Sequence, residues 1–319
     1  MLTAKFRFTI PTIDGTPGYT YDGSFKTLPK IGPDGQKVTK RSNTRGRSYD
    51  TTVFDARDIQ NNLSVLHNGF KLIPFDSPID VSKKDSDQII SVYYKYVENL
   101  VRAQLEAEGV KNILRVLVFD HTIRSRIQRE KKEKETNGEN IGGYAAGVHN
   151  DNTSRSARAR IKFLTKTKKE GGSVTLPTPP LTEKEADDIV SGHFGIFNVW
   201  RHYREDYPVL DFPLAILDAQ TARENDFPVN KYIYPHRVGE VVGCYKKDYH
   251  KWYYFSEMKA NEALFFKVFD SQSEVYENVN VPLHTAHTAF QIPGSNDATP
   301  PRESIECRCL VHFGSESKL

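Results

Sequence analysis

Pro301-Arg302-Glu303-Ser304-Ile305-Glu306-Cys307-Arg308-Cys309-Leu310-Val311-His312-Phe313 is the stretch on which the fold of this 319-residue chain turns. Its apolar and polar residues alternate from Ser304 onward, as on a strand, where successive side chains point to opposite faces. If Arg302 and Ser304 point inward, Glu306 and Arg308 do too, and Cys307 and Cys309 pack outside. The stretch closes a run of strand patterns: 194–200, 214–217, 240–245, 252–255, 263–269 and 304–313, separated by turn residues. Many short strands in a long C-terminal region predict a sandwich or barrel.

Upstream the signals differ. Residues 113–123 read as a further strand, by their β-branched and aromatic content. Residues 87–109 predict a helix, with Ile89, Ile90, Tyr93, Val97, Leu100, Val101 and Leu105 at helical spacing and Gly109 where a C-terminal cap belongs. A shorter helix is expected over 181–190, where Thr182 and Glu185 form a capping box behind Pro179-Pro180. Residues 1–85 read as an N-terminal extended arm and loops, with hairpins and turns in its first half and a loop-rich connection over 59–75. The dense charge of 124–140 has two readings, a solvated loop or a mobile lid beside an active site.

Composition narrows the function classes. The chain has 44 Lys and Arg against 41 Asp and Glu, giving a formal net charge of +3. Basic residues are interleaved with acidic ones, which argues against a nucleic-acid partner. No run of about 18 apolar residues is present, so no membrane helix is expected. Residues 1–9 lack the apolar stretch of a secretory signal. Three cysteines cannot build a disulfide framework, and an intracellular, cytoplasmic setting is expected.

His149-Asn150-Asp151 is the first motif with chemistry in it. Residues two apart on a strand share a face, so an imidazole and a carboxylate can take adjacent positions on one metal ion. A second histidine from a distant strand would complete the 2-His-1-carboxylate triad of non-haem Fe(II) oxygenases. Alone the motif says little. With 41 acidic residues in 319, about 13% of positions, ten histidines give roughly one such match by chance. Two later features add weight. Leu283-His284-Thr285-Ala286-His287 offers two candidates for the distal histidine. Arg302-Glu303-Ser304 follows, 15 residues after His287, and an arginine with a nearby hydroxyl can grip the far carboxylate of a dicarboxylate such as 2-oxoglutarate.

Taken together, the blocks 148–153, 197–201, 212–219, 252–255, 262–271 and 302–313 resemble a fungal family of secondary-metabolism hydroxylases and desaturases. Gibberellin-desaturase-like proteins and relatives of a bacterial cephamycin-pathway protein belong to the same group. The likeness spans about residues 110–313. It implies an α+β, mainly β architecture: one domain, a double-stranded β-helix of the jelly-roll or cupin type with flanking helices and an N-terminal extension. It also implies a mononuclear iron, 2-oxoglutarate and dioxygen. His149 and Asp151 carry over as ligands, and the distal ligand becomes His287 rather than His284. Arg302, Ser304 and Arg308 are implied to serve the cosubstrate. The chain departs from the family pattern at His202, where relatives tend to carry proline.

Several other residues carry two readings. Arg201 follows a tryptophan on an apolar strand, and a buried arginine needs a carboxylate or a bound anion. Arg155 and Arg158 are placed to receive a substrate carboxylate or to stand exposed. Trp200 and residues 252–255 read as core, and Lys267 with Asp270 as a structural pair. The resulting expectation is an Fe(II)/2-oxoglutarate-dependent dioxygenase that oxidises an unactivated C–H bond of a small metabolite or amino-acid-derived substrate. Hydroxylation, desaturation and cyclisation all stay open, and so does the oligomeric state, a homodimer included. The rival readings are a zinc hydrolase on the same ligands and a non-catalytic jelly roll that binds a small ligand.

Overall fold

A computed structural model describes residues 1–13, 15–21, 25–32, 35, 37–125, 144, 147–167, 175–235, 238–274 and 285–315. In chain order the strands are β1 (Leu2–Ile10), β2 (Gly18–Tyr21), β3 (Arg45–Asp55), β4 (Phe70–Pro74), β5 (Ile113–Ser125), β6 (His149–Asn150) and β7 (His193–His202). They continue as β8 (Leu214–Leu217), β9 (Val229–Ile233), β10 (Val238–Gly243), β11 (Trp252–Tyr254), β12 (Glu262–Asp270), β13 (His287–Ala289) and β14 (Glu303–Phe313). The main helices are α1 (Tyr94–Ala107), α2 (Ser154–Phe163) and α3 (Glu183–Ser191).

The strands form two sheets. The larger runs β1-β3-β11-β8-β13-β6-β10-β9-β2 and the smaller β4-β12-β7-β14-β5. Their facing sides share one apolar cluster, with Leu214 and Ile216 from β8 against Trp200, Leu264, Phe266 and Val268 from β7 and β12. Two opposed, mainly antiparallel sheets around a shared interior make the expected double-stranded β-helix.

Alternation sorts each strand between layers. On β8 the neighbours Ala215 and Leu217 turn outward to Phe6, Phe8, Val53 and Trp252. On β14 the residues Ile305, Cys307, Cys309 and Val311 turn outward to meet Tyr93, Val97, Val101 and Leu105 under the helix. The sequence reading that put both cysteines outside the barrel therefore holds.

The long helix begins one residue before the expected span, at Ser86. It has a wider π-type stretch over Ile89–Tyr93 before regular α1. Gly109 takes φ +91 just past its end, the left-handed conformation that suits a C-terminal glycine. Thr182 and Glu185 make the anticipated capping box at the start of α3.

The N-terminal region departs from its expectation. Strands β1 and β3 are not an arm over the core. They pair over nine residues and join the larger sheet through the parallel contact of β3 with β11. Phe6 and Phe8 are each 1% exposed, and Trp252 stands edge-on to Phe6 at 5.3 Å. Part of the 59–75 connection is also strand, since β4 pairs with β12. Every second residue of β1 (Ala4, Phe6, Phe8) is buried, a strand period that the polar flanking turns obscured. Of the charged 124–140 segment only Arg124 and Ser125, at the end of β5, lie within the described residues. His284 lies outside them as well.

Candidate metal centre

Register brings the first two site residues together. His287 on β13 pairs directly with His149 on β6, so both side chains emerge from one face, their ring centroids 4.5 Å apart. That face is the inner one, which His287 shares with its other register partner, Ile216. Asp151 follows β6 by one residue, and its Oδ1 lies 3.6 Å from His149 Nε2. One donor atom from each of His149, Asp151 and His287 lies within 4.8 Å of the others.

The ring tautomers follow from the partners. His149 Nδ1 is 2.7 Å from the Gly147 carbonyl and His287 Nδ1 is 3.2 Å from the Thr285 carbonyl. A carbonyl only accepts, so each Nδ1 donates, and in the neutral ring each Nε2 keeps a lone pair. An imidazole pinned at one nitrogen with the other free is the usual state of a metal ligand. Two imidazole nitrogens and one carboxylate oxygen on one face fit Fe(II) with open positions opposite.

The surroundings tune these groups. Burial and the neighbouring His149 press the His287 pKa down to about 4, so its imidazole is neutral at ordinary pH. Burial also opposes charge on His149, but the Asp151 carboxylate outweighs it and raises the pKa. Burial pushes the Asp151 carboxyl up, yet His149, Arg308 and His287 together hold it well below the usual carboxylate range.

A narrow cavity of about 20 Å³ lies beside the triad between Arg124, His149, Asp151, Trp200, Leu214, His287, Ala289, Arg302, Glu306 and Arg308. Arg302 is 2% exposed. Its Nη1 donates to the Phe212 carbonyl, and its guanidinium lies 4.1 Å from the Tyr144 ring centre and 5.4 Å from that of Trp200. Its Nε is buried and has no hydrogen-bond partner among the described residues. Burial lowers its pKa to about 10, so it stays charged at neutral pH. A buried cation with an unmet donor on a residue that lines a cavity suits an incoming carboxylate. Phe212 itself has φ +45, a strained conformation for a bulky residue, and Arg302 binds the carbonyl that this strain presents. Ser304 lies buried on the same strand face but does not line the cavity.

Three expectations need correction. Arg201 is buried but turns away from the cavity. Its Nε donates to the Tyr93 hydroxyl at 3.1 Å, its Nη1 donates to the Ala260 carbonyl, and it stacks on Phe75. Strand alternation decides this, because Asn198 and Trp200 face the metal site and Arg201 cannot. Arg155 is exposed on α2 and pairs with Glu240, while Arg158 donates to Ser154 and lies over Phe194; neither lines the cavity around the triad. Trp200, read as core in preference to pocket, is buried and also walls the cavity. Arg308 lies in the cavity, but protein groups engage each of its three nitrogens.

The sequence reading missed Asn198. Its Nδ2 donates to Asp151 Oδ2 at 3.1 Å and to Glu306 Oε1 at 2.7 Å. A lone polar residue inside the apolar run 194–200 was the available signal. The Lys267–Asp270 pair stands as expected, fully buried at 3.4 Å.

A family model described as an oxidoreductase/YMDC permease-like domain matches residues 8–312. The Fe(II)/2-oxoglutarate-dependent dioxygenase nvfI of Aspergillus novofumigatus (strain IBT 16806) is 37% identical over 139 residues, 43% of this chain and 47% of that protein. The hydroxylase/desaturase asaB of Aspergillus flavus is 32% identical over 152 residues, 42% of this chain and 61% of that protein. These two sequence matches thus span about half the length of each relative. A solved structure described as the iron and alpha-ketoglutarate-dependent endoperoxidase NvfI superposes with a TM-score of 0.72 over 98% of both chains at 23% identity, which shows the shared fold. These names agree with the resemblance read from the sequence blocks.

Proposed function

The chain belongs to the oxidoreductase/YMDC permease-like domain family, and from that premise we propose that it is a non-haem Fe(II)/2-oxoglutarate-dependent dioxygenase of secondary metabolism. Its substrate is a small molecule bearing an unactivated C–H bond. The observation that carries this reading is the pairing of two features in one cavity. His149, Asp151 and His287 gather three donor atoms within 4.8 Å, and the buried Arg302 presents an unmet N–H nearby. A zinc hydrolase on the same ligands leaves that arginine without a purpose.

His149, Asp151 and His287 would hold the iron, and Arg302 would receive the distal carboxylate of 2-oxoglutarate, with Ser304 a neighbouring hydroxyl on the same strand face. The bound iron and 2-oxoglutarate together supply the oxidising power for C–H cleavage, using dioxygen. The protein supplies the rest. The Gly147 and Thr285 carbonyls fix the imidazoles, and Trp200, Leu214 and Ala289 wall the cavity against water. A wider cleft of about 490 Å³ also borders His149 and Asp151, with Tyr232, Tyr234, Arg160 and Glu240 along it, and offers a small molecule an approach. No helix among the described residues is long and apolar enough to cross a membrane. The three cysteines are free thiols, which supports a reducing, cytoplasmic setting.

The test is succinate formation from 2-oxoglutarate with Fe(II) in air, with and without a panel of small metabolites. Wild type should produce succinate, His149→Ala should not, and zinc should not replace iron. Arg302→Met should need about 10- to 100-fold more 2-oxoglutarate, the worth of a charge-assisted hydrogen bond. Succinate formation that survives His149→Ala would refute the assignment.

A further inference from the structure

The smaller sheet presents its polar groups to the site in rows set by register. Arg308 on β14 is flanked by Asp120 of β5 on one side and Asn198 of β7 on the other. The next row along places Glu306 between Thr122 and Trp200. Arg308 is spoken for on every nitrogen. Its Nε is 3.5 Å from Asp151 Oδ2. Its Nη1 is 3.0 Å from Thr122 Oγ1 and 3.3 Å from Asp120 Oδ2. Its Nη2 is 3.4 Å from Glu306 Oε1. Arg302 differs, since its Nε has no partner among the described residues.

Asp151 is therefore held by one oxygen. Oδ2 takes the Asn198 amide at 3.1 Å and faces Arg308, while Oδ1 faces His149 Nε2 at 3.6 Å. The Asn198 orientation is forced. Both of its carboxylate partners only accept, so its nitrogen must lie between them. The network also places three carboxylates around one guanidinium, leaving negative charge beside the two free imidazole nitrogens, as a divalent cation requires.

We propose that Arg308 and Asn198 are positioning residues that hold Asp151 as a one-oxygen ligand, and that Arg308 takes no part in binding 2-oxoglutarate. This rests on the reading of His149, Asp151 and His287 as the metal site. Outer partners of metal ligands commonly carry about 10- to 100-fold in metal affinity.

The test uses Co(II) alone, titrated into the full-length protein by calorimetry with its visible spectrum recorded, followed by 2-oxoglutarate at saturating Co(II). Arg308→Lys keeps the charge but loses the forked geometry. Asn198→Ala removes the bridging amide. Both should bind Co(II) about 10- to 100-fold more weakly than wild type and shift its spectrum, with 2-oxoglutarate affinity at saturating metal changed less than about threefold. Unchanged Co(II) affinity in a folded Asn198→Ala overturns the proposal, even where Arg308→Lys fails to fold. So does a selective loss of 2-oxoglutarate affinity in Arg308→Lys. Absence of Co(II) binding in the wild type refutes the metal-site reading itself, and is distinguished from the other outcomes by that control.

Discussion

His202 shows how a single buried residue leaves a measurable trace. It is fully buried, its Nε2 donates to the Tyr207 carbonyl at 3.1 Å, and its Nδ1 faces the Glu303 amide N–H. Acceptance at Nδ1 requires the neutral ring, and burial pushes its pKa down to about 4. In the unfolded chain a histidine titrates near 6.5. Between pH 6.5 and 4 the native state therefore binds fewer protons than the unfolded state, so stability falls as pH drops through that window. The loss on going from pH 7.5 to 4.5 is about 2–3 kcal/mol from this residue. Urea unfolding of wild type and His202→Asn at the two pH values should show the variant losing less by about that amount. An equal loss in both would mean that His202 is not held neutral.

At the scale of elements, alternation did most of the sorting, and it was readable in advance for β14 and for the cap of α3. It was not readable for β1, where strand signal and turn-rich flanks overlap, nor applied to Arg201, whose facing follows from Asn198 and Trp200 on the same strand. The α3 capping box is a local device and should behave as one. Thr182 Oγ1 accepts from the Glu185 amide at 3.2 Å, and Glu185 reaches back to the Thr182 amide at 2.7 Å. Thr182→Ala should cost about 1 kcal/mol of stability by chemical unfolding. It should leave Co(II) affinity unchanged, because α3 contributes nothing to the cavity. A loss of metal affinity on this change would show that α3 and the site are coupled.

For the whole molecule, the fold and the candidate ligand set were legible in the sequence, because His-x-Asp, the distal histidine and the arginine strand occur in order and the sheets bring them together. The sequence could not supply the network around Asp151. Asn198, Glu306 and Asp120 come from three strands, and only register aligns them. Nor could it separate Arg302 from Arg308, which share a strand face and differ only in whether other groups already engage them. The account stands most directly on the joint site for iron and 2-oxoglutarate, and one measurement reaches it. Fe(II) and 2-oxoglutarate added without oxygen should give a weak visible absorption band in the wild type, and none in Asp151→Ala or His287→Ala. A wild type with no band, or a band that persists unchanged in both variants, would contradict it.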